Sequence, residues 1–182
     1  MEKLLENAAE DASTMIEPMD VYDVRKVPTG KRVERAEAFM HEGEYLMYVL
    51  AIIQNTEGEY LITQRALDKH WAAGWWEITG GGVRAGEDSY HAVLREITEE
   101  TGLASCGCDP ELIYTYRNDD LEGGDNYFVD MYRCVLDFNE EDVTLLASEA
   151  IDFALVTWED IVALNEKGIF LHFERVRRAL GK

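Results

Sequence analysis

Residues 80–103 read GGGVRAGEDSYHAVLREITEETGL, a run of three glycines followed by a segment with helical spacing and clustered glutamates. Residues 88–101 predict an amphipathic helix, because apolar side chains recur every three or four positions and Gly102 follows the last of them. At roughly 100° per residue, one stripe of this helix is expected to pack on a sheet. That stripe consists of Tyr90, Leu94, Ile97 and Thr101.

Three acidic side chains form a second stripe on the same helix. Glu96, Glu99 and Glu100 stand at positions i, i+3 and i+4, where like charges repel by roughly a few tenths of a kcal/mol per pair. A divalent cation such as Mg²⁺, which prefers oxygen ligands, would make such a cluster favourable. In a protein this acidic a solvated charged face is the simpler interpretation, and the helix alone favours it.

The loop before the helix favours a ligand site instead. Gly80, Gly81 and Gly82 would permit positive φ angles and a close approach of the backbone to a ligand, and Gly86 would permit a second sharp bend. A glycine-rich loop that leads into a helix suits phosphate, because free backbone N–H groups and the helix dipole both favour anions there. Loop and helix together predict a site for a metal ion and a phosphorylated ligand.

The pattern that these residues form has nine constrained positions in 23 residues: Gly81-x5-Glu87-x7-Arg95-Glu96-Ile97-x-Glu99-Glu100-x-Gly102-Leu103. It resembles the Nudix box, so the chain resembles the MutT-like Nudix hydrolases. Residues 1–40 are weakly similar to the isopentenyl-diphosphate-isomerase-like branch of that family. The resemblance implies an α/β fold, a sandwich with a mixed β-sheet between helices. It also implies a single Nudix domain over residues 19–182, with the box at 81–103, preceded by a helix or mobile arm at 1–18.

The resemblance assigns the chemistry to the box. It implies cleavage of a pyrophosphate bond in a nucleoside diphosphate derivative by attack of water on phosphorus, with Mg²⁺, or Mn²⁺ in its place, as cofactor. Nucleoside triphosphates, ADP-ribose and nucleotide sugars all belong to this substrate class. Arg95 would orient a glutamate, and Glu87 would hold the loop against the helix. The implied catalytic residues are Arg95, Glu96, Glu99 and Glu100, and the implied metal ligands are Gly80 (through its carbonyl), Glu96, Glu99 and Glu100.

Outside the box the sequence predicts less about substrate contacts. Arg65 ends a predicted strand and would bind substrate phosphate, with a surface salt bridge as an equal alternative. Trp76 would stack on a base or else belong to the core. A further acid is expected from a later segment, with Glu149 preferred over Asp152 and over the acidic loop at 118–125. The predicted substrate-binding residues are Arg65, Trp76, Gly81 and Gly82.

The rest of the chain predicts strands interleaved with helices, which indicates a single α/β domain. Residues 45–53, rich in β-branched and aromatic side chains, predict a strand buried on both faces. Residues 28–30 predict a turn, and residues 79–82 predict a break in regular structure. Further strands are expected at 19–24, 32–40, 59–65, 112–116, 127–136 and 150–156, and closing helices at 158–164 and 170–180.

Seventeen Lys and Arg against 37 Asp and Glu leave a net charge of −20 over 182 residues. Binding to nucleic acid or to an anionic membrane needs clustered cations, so the expected partner is a small phosphorylated substrate, a nucleotide. A homodimer is compatible with the sequence. The N-terminus lacks the layout of a signal peptide and residues 45–53 are too short to span a bilayer, which predicts a cytoplasmic protein. Cys106, Cys108 and Cys134 are expected to be ordinary reduced thiols.

Two other functions stay open at this point. An isomerase acting on isopentenyl diphosphate needs a protonating cysteine and typically a histidine after the glycines, whereas Gly82 stands there and the cysteines all follow the box. A catalytically silent nucleotide-binding sensor would typically have lost a glutamate of the box, and this chain keeps all of them. Hydrolysis is therefore the preferred prediction.

Overall fold

The computed structural model describes residues 17–104 and 107–182, so the predicted arm at 1–18 lies outside the described residues except for its last two. The strands of the described part are β1 (Pro18–Tyr22), β2 (Pro28–Glu34), β3 (Leu46–Gln54), β4 (Tyr60–Arg65), β5 (Trp76–Glu77), β6 (Gly80–Gly82), β7 (Glu111–Asn118), β8 (Tyr127–Val135) and β9 (Ala150–Val156). The helices are α1 (Ser89–Thr101), α2 (Trp158–Glu166) and α3 (Phe173–Ala179).

Strands β3 to β9 form one mixed sheet. Its order is β5-β4-β3-β8-β7, with β6 paired to β3 and β9 paired to β4. The central strands β3 and β8 are parallel, in a register from Leu46 opposite Tyr127 to Gln54 opposite Val135, and the other pairs are antiparallel. Strands β1 and β2 form a separate antiparallel hairpin. Because parallel neighbours need a long crossover, the segment that contains β6 and α1 connects β3 to β8 across one face.

Strand β3 explains the layering. Met47, Val49, Ala51 and Ile53 belong to the core cluster that includes Val93 and Ile97 of α1. Ile52 belongs to the opposite cluster, which includes Ile161 of α2 and Val176 of α3. The predicted strand buried on both faces is thus confirmed, and the helices lie on both sides of the sheet, as an α/β/α sandwich requires.

Most predicted elements after residue 45 agree with the structure, but the break predicted at 79–82 is wrong, because Gly80–Gly82 form β6. In the N-terminal hairpin, the predicted strand at 19–24 overlaps β1, whereas the turn and the return strand differ from the prediction. The predicted turn at 28–30 lies inside β2, and the predicted strand at 32–40 ends at Glu34. The chain turns earlier, where the side chain of Asp23 accepts hydrogen bonds from the backbone N–H groups of Arg25 and Val27, both at 2.9 Å. A single aspartate that satisfies two backbone donors therefore sets this turn.

The buried face of α1 also differs from the prediction. Ile97 and Thr101 are buried as expected, but Tyr90 is exposed and Leu94 is only half-buried. Ala92, Val93 and Glu96 complete the buried side of the helix. The helix is therefore turned so that a glutamate of the predicted acidic stripe faces the protein interior.

The cysteines bear on a further expectation. Cys108 and Cys134 lie side by side, with Cα atoms 6.0 Å apart, so these two residues are close enough to form a disulfide. Cys106 lies outside the described residues. Within the described ranges, no helix is both long and apolar enough to cross a membrane.

One buried ion pair fastens the N-terminal hairpin to the sheet. Nζ of Lys26, in the β1–β2 turn, donates to Oδ2 of Asp130 at 2.6 Å, and the hydroxyl of Thr115 donates to the same carboxylate at 2.6 Å. The carboxylate side chain is 1% exposed. Met19 and Val21 of β1 add an apolar contact with Leu46, so the hairpin is held by both charge and packing.

We expect Lys26→Met to lower the free energy of unfolding by about 2 kcal/mol, because it leaves a buried carboxylate without its cation. Arg25→Met is the matched control, since the Arg25 side chain is 80% exposed and stands 3.7 Å from Asp23. The control is expected to stay within about 0.5 kcal/mol of wild type. Urea unfolding followed by circular dichroism measures the free energy of unfolding of both variants. Equal losses of this free energy in the two variants would show that the Lys26–Asp130 ion pair does not stabilise the fold.

Candidate active site

The ends of α1 are fixed by the two residues that flank it. The Asp88 side chain accepts from the backbone N–H of His91 at 2.8 Å, which satisfies one free donor of the first turn. Gly102 ends the helix in the left-handed region, at φ +70°, as the sequence predicts. His91 is exposed, in keeping with its free position in the box. Between these ends, the carboxyl groups of Glu96 and Glu100 lie next to Gly81 and Gly80 of β6.

Arg95 ties the helix to the loop before it. Its Nε and Nη2 donate to both oxygens of Glu87 at 3.0 and 2.9 Å, and Nη2 also donates to the Gly82 carbonyl at 2.8 Å. Nη1 donates to Glu96 at 2.7 Å and to Glu99 at 3.2 Å. A planar guanidinium suits such a set of fixed acceptors. Two glutamates of the acidic stripe are thereby held in place by one cation.

The three glycines are needed for space, which corrects the expectation that they adopt positive φ. Gly80, Gly81 and Gly82 form β6 against β3, and none of them has a positive φ angle. A methyl group on Gly81 would collide with the Glu96 carboxylate, and one on Gly80 would collide with the backbone carbonyl of Val49. The backbone of β6 can therefore lie directly against the acidic side of α1 only because it carries no side chains.

The Glu100 carboxylate is the charge in this region that its surroundings stabilise least. Burial, together with repulsion from Glu96, Glu149 and Glu77, raises the pKa of its carboxyl group well above the usual range. Its one hydrogen bond in the described residues comes from the backbone N–H of Gly80, at 3.3 Å. Burial also raises the pKa of Glu96, despite the neighbouring Arg95. The site therefore holds more carboxylate charge than its surroundings stabilise.

These side chains line a cavity of about 710 Å³. Its acids are Glu17, Glu77, Glu96, Glu99, Glu100 and Glu149, and its cations are Arg35, Arg65, Lys69, Arg84 and Arg95. Each cation is paired with an acid: Arg35 with Glu17, Arg65 with Glu77, Lys69 with Glu149, Arg84 with Glu17 and Glu99, and Arg95 with the three described above. Among the described residues, Glu100 is the acid of this cavity without a cationic partner.

The structure brings most of the predicted site residues together and leaves Gly82, Trp76 and Asp152 outside the cavity. Gly80, Gly81, Arg65, Arg95 and the three glutamates of α1 share the cavity with Glu149, the preferred further acid. Gly82 does not line it and instead accepts from Arg95. Trp76 packs in the core cluster around Phe170, so its predicted contact with a base gains no support. Asp152 lies in β9 with an exposed side chain.

Five charged residues that line the cavity were not among the predicted site residues. Lys69 and Glu77 lie in the segment between β4 and β6, and Arg84 occupies a free position of the box. Glu17 and Arg35 come from the N-terminal region, far from the motif in sequence. A motif defines only the residues that it contains, so nothing in the sequence indicated that the hairpin reaches the acidic helix.

Comparisons with known proteins agree with this geometry. The sequence profile of the NUDIX domain matches residues 44–177. An uncharacterised Nudix hydrolase of Listeria monocytogenes is 29% identical over 159 residues, which cover 87% of this chain and 90% of that protein. A nucleoside triphosphatase of Escherichia coli is 44% identical over 54 residues, 30% of this chain and 38% of its own length.

Solved structures share the fold. A Deinococcus radiodurans protein superposes with a TM-score of 0.73 at 20% identity, over 90% of this chain and 99% of that one. A MutT protein of Methanosarcina mazei superposes with a TM-score of 0.57 at 26% identity, over 76% and 96% of the two chains. The chain belongs to the Nudix hydrolase family, which confirms the resemblance seen in the box. It is accordingly a pyrophosphohydrolase.

We expect Gly81→Ala to lower hydrolytic activity by about a hundredfold, because the added methyl group displaces the Glu96 carboxylate and misplaced reacting groups cost that much. Gly107→Ala is the control, since no described atom lies within 4 Å of the methyl group there. Chromatographic measurement of the cleavage products from the best substrate of a nucleotide panel measures the effect. Wild-type activity in Gly81→Ala would show that Glu96 need not stay where it lies.

Proposed function

We propose that the chain hydrolyses a pyrophosphate bond in a nucleoside diphosphate derivative, by attack of water on phosphorus, with Mg²⁺ as cofactor and Mn²⁺ as its substitute. The observation that carries this proposal is the Glu100 carboxyl group, which three other carboxyl groups surround and which no cation of the described residues partners. An excess of oxygen ligands without a counter-charge suits a hard divalent cation.

The donor set fits such a cation, although it is not preorganised around one. In the described part of the chain, no three acidic, histidine or cysteine side chains stand close enough together to hold a metal ion as they are. Arg95 and Arg84 occupy oxygens of Glu96 and Glu99, which must therefore shift towards a metal. Glu96, Glu99 and Glu100, with the carbonyl of Gly80, would hold the ion.

The bound ion would neutralise oxygens of the diphosphate and lower the pKa of the attacking water. Arg95 would keep Glu96 beside the substrate, where its carboxylate can take part in activating the water. Arg65 and Arg84 line the same cavity and carry positive charge to the place where negative charge grows on the leaving phosphate. Their present partners, Glu77 and Glu99, hold them at the cavity wall.

A nucleotide as substrate is supported by two observations. One relative with local similarity is a nucleoside triphosphatase. A second cavity with aromatic walls opens beside the acidic one and shares Gly80, Gly81 and Arg65 with it. Aromatic side chains next to a diphosphate site suit a base that must be held by stacking.

We expect Glu100→Gln to reduce turnover by at least about a thousandfold, since it removes an oxygen charge on which the metal depends. Its melting temperature should equal or exceed that of wild type, because the amide relieves repulsion among buried carboxylates. Glu166→Gln, at the exposed end of α2, is the matched control and should change neither quantity. Mg²⁺-dependent formation of the cleavage products, separated by anion-exchange chromatography, and thermal unfolding test the pair.

Full activity in Glu100→Gln would contradict the proposed role of this carboxylate. Inactivity of the wild-type protein on nucleoside triphosphates, dinucleotides and nucleotide sugars, with Mg²⁺ or Mn²⁺ present, would contradict the proposed substrate class. A melting temperature well below that of wild type in Glu100→Gln would mean that the group contributes to folding, and the charge argument would then fail.

A further inference from the structure

The second cavity has a volume of about 310 Å³ and joins the acidic cavity at its glycine wall. The aromatic residues that line it are Tyr48, Trp71, Tyr116, Tyr127 and His172. Tyr127 stands edge-on to both Tyr48 and Tyr116, with ring centroids 5.5 and 6.5 Å apart. Such rings offer a rigid, largely apolar surface to a planar group.

Across the cavity, Trp71 and His172 form a second aromatic pair, with ring centroids 6.0 Å apart. Burial and the nearby Arg65 and Arg175 lower the pKa of His172, which keeps its imidazole neutral. Trp71 is 60% exposed, and the guanidinium carbon of Arg65 lies 5.7 Å from its ring centroid. The volume lies at the lower end of the range for ligand pockets, which suits one nucleoside rather than two.

Arg35 stands where the two cavities meet and lines both of them. It follows β2 directly and lies outside residues 44–177, the part matched by the family profile. Its guanidinium carbon lies 5.4 Å from the centroid of the Tyr48 ring, and Nη1 lies 3.9 Å from the point where a side chain on Gly82 would begin. The appended hairpin thus places a cation over the glycine strand.

The hydrogen bonding of Arg35 leaves donors available. Its Nη1 donates to Glu17 at 3.2 Å, and the guanidinium also interacts with the Tyr48 hydroxyl, whereas its side chain is 47% exposed and carries five N–H donors. Glu17 also accepts from Nε of Arg84 at 3.3 Å. The Glu17 carboxylate therefore lies between two arginines that line the acidic cavity. It occupies the position that a phosphate group of a ligand would take between them.

We propose that Arg35 is a substrate-binding residue of a mononucleotide site, in which it contacts the phosphate next to the nucleoside while the base lies among the tyrosines. Glu17 competes with that phosphate for Arg35 and Arg84. The inference rests on the proposed function and narrows its substrate class to nucleoside diphosphates and triphosphates. The hairpin is then part of the binding site, beyond its packing against the sheet.

Calorimetric binding of non-hydrolysable nucleotides tests this without relying on turnover. The probes are the α,β-methylene analogues of the nucleoside diphosphates of adenine, guanine, cytosine and uracil, each with Mg²⁺. Arg35→Gln should weaken binding of the best analogue about tenfold or more, because it removes a charge-assisted contact. Glu17→Gln should tighten binding about threefold, because it frees two arginines.

Arg32→Gln is the matched control, since Arg32 lies on β2, is 63% exposed and pairs with Asp20 away from the cavities. It should bind like wild type. A structural role for the Arg35–Glu17 pair would predict losses in both Arg35→Gln and Glu17→Gln, so opposite signs in the two variants distinguish binding from folding.

Equal binding by Arg35→Gln and Arg32→Gln would overturn the inference, and so would weaker binding in Glu17→Gln. The inference would also fail if the wild-type protein bound none of the four analogues. The proposed function is judged separately, by chromatographic separation of the cleavage products, because a nucleotide sugar or dinucleotide yields phosphomonoesters and no free phosphate. A wild-type protein that cleaves nucleotide sugars or dinucleotides but binds none of the analogues keeps the proposed function and loses only this inference.

Discussion

The contacts of Arg95 are the constraint on which the rest of the site depends. One guanidinium makes five hydrogen bonds: three join α1 to the loop that precedes it, through Glu87 and the Gly82 carbonyl, and two hold Glu96 and Glu99 of the helix itself. Without this cation, glutamates one turn apart would repel one another and turn towards solvent. With it, a buried glutamate can face β6, whose lack of side chains leaves room for the carboxylate. Helix, loop and glycine strand therefore form one unit.

The same unit concentrates negative charge in a cavity that the rest of the chain only partly neutralises. Five cations line that cavity, each already paired with a carboxylate, and Glu100 is left without one among the described residues. Binding of a divalent ion and a diphosphate would replace these ion pairs within the protein. The carboxylates would then bind the ion, and the arginines would bind the phosphates. Metal and substrate are then expected to bind together more strongly than either alone.

The box could be predicted from the sequence because its nine constrained positions match the pattern of a known family, and helical spacing then puts Glu96, Glu99 and Glu100 on one side of α1. Strand β3 could be predicted because residues 45–53 are nine consecutive apolar and aromatic residues, as is typical of a strand covered on both sides. The face of α1 that is buried could not be predicted from the sequence, because the burial of Glu96 depends on the space beside Gly81 and on the contact with Arg95. Nor could Glu17 and Arg35, because their approach depends on tertiary contacts such as the one between Lys26 and Asp130.

The central claim is that the carboxylates of α1 bind a divalent cation, and titration calorimetry of Mn²⁺ into metal-free protein tests it most directly. The account predicts saturable binding to wild type, strengthened by a non-hydrolysable nucleotide, and binding at least about tenfold weaker in Glu100→Gln. No saturable heat in the wild-type protein, with or without nucleotide, would contradict it. Equal affinity in the two proteins would contradict it as well, because the ion would then lie elsewhere.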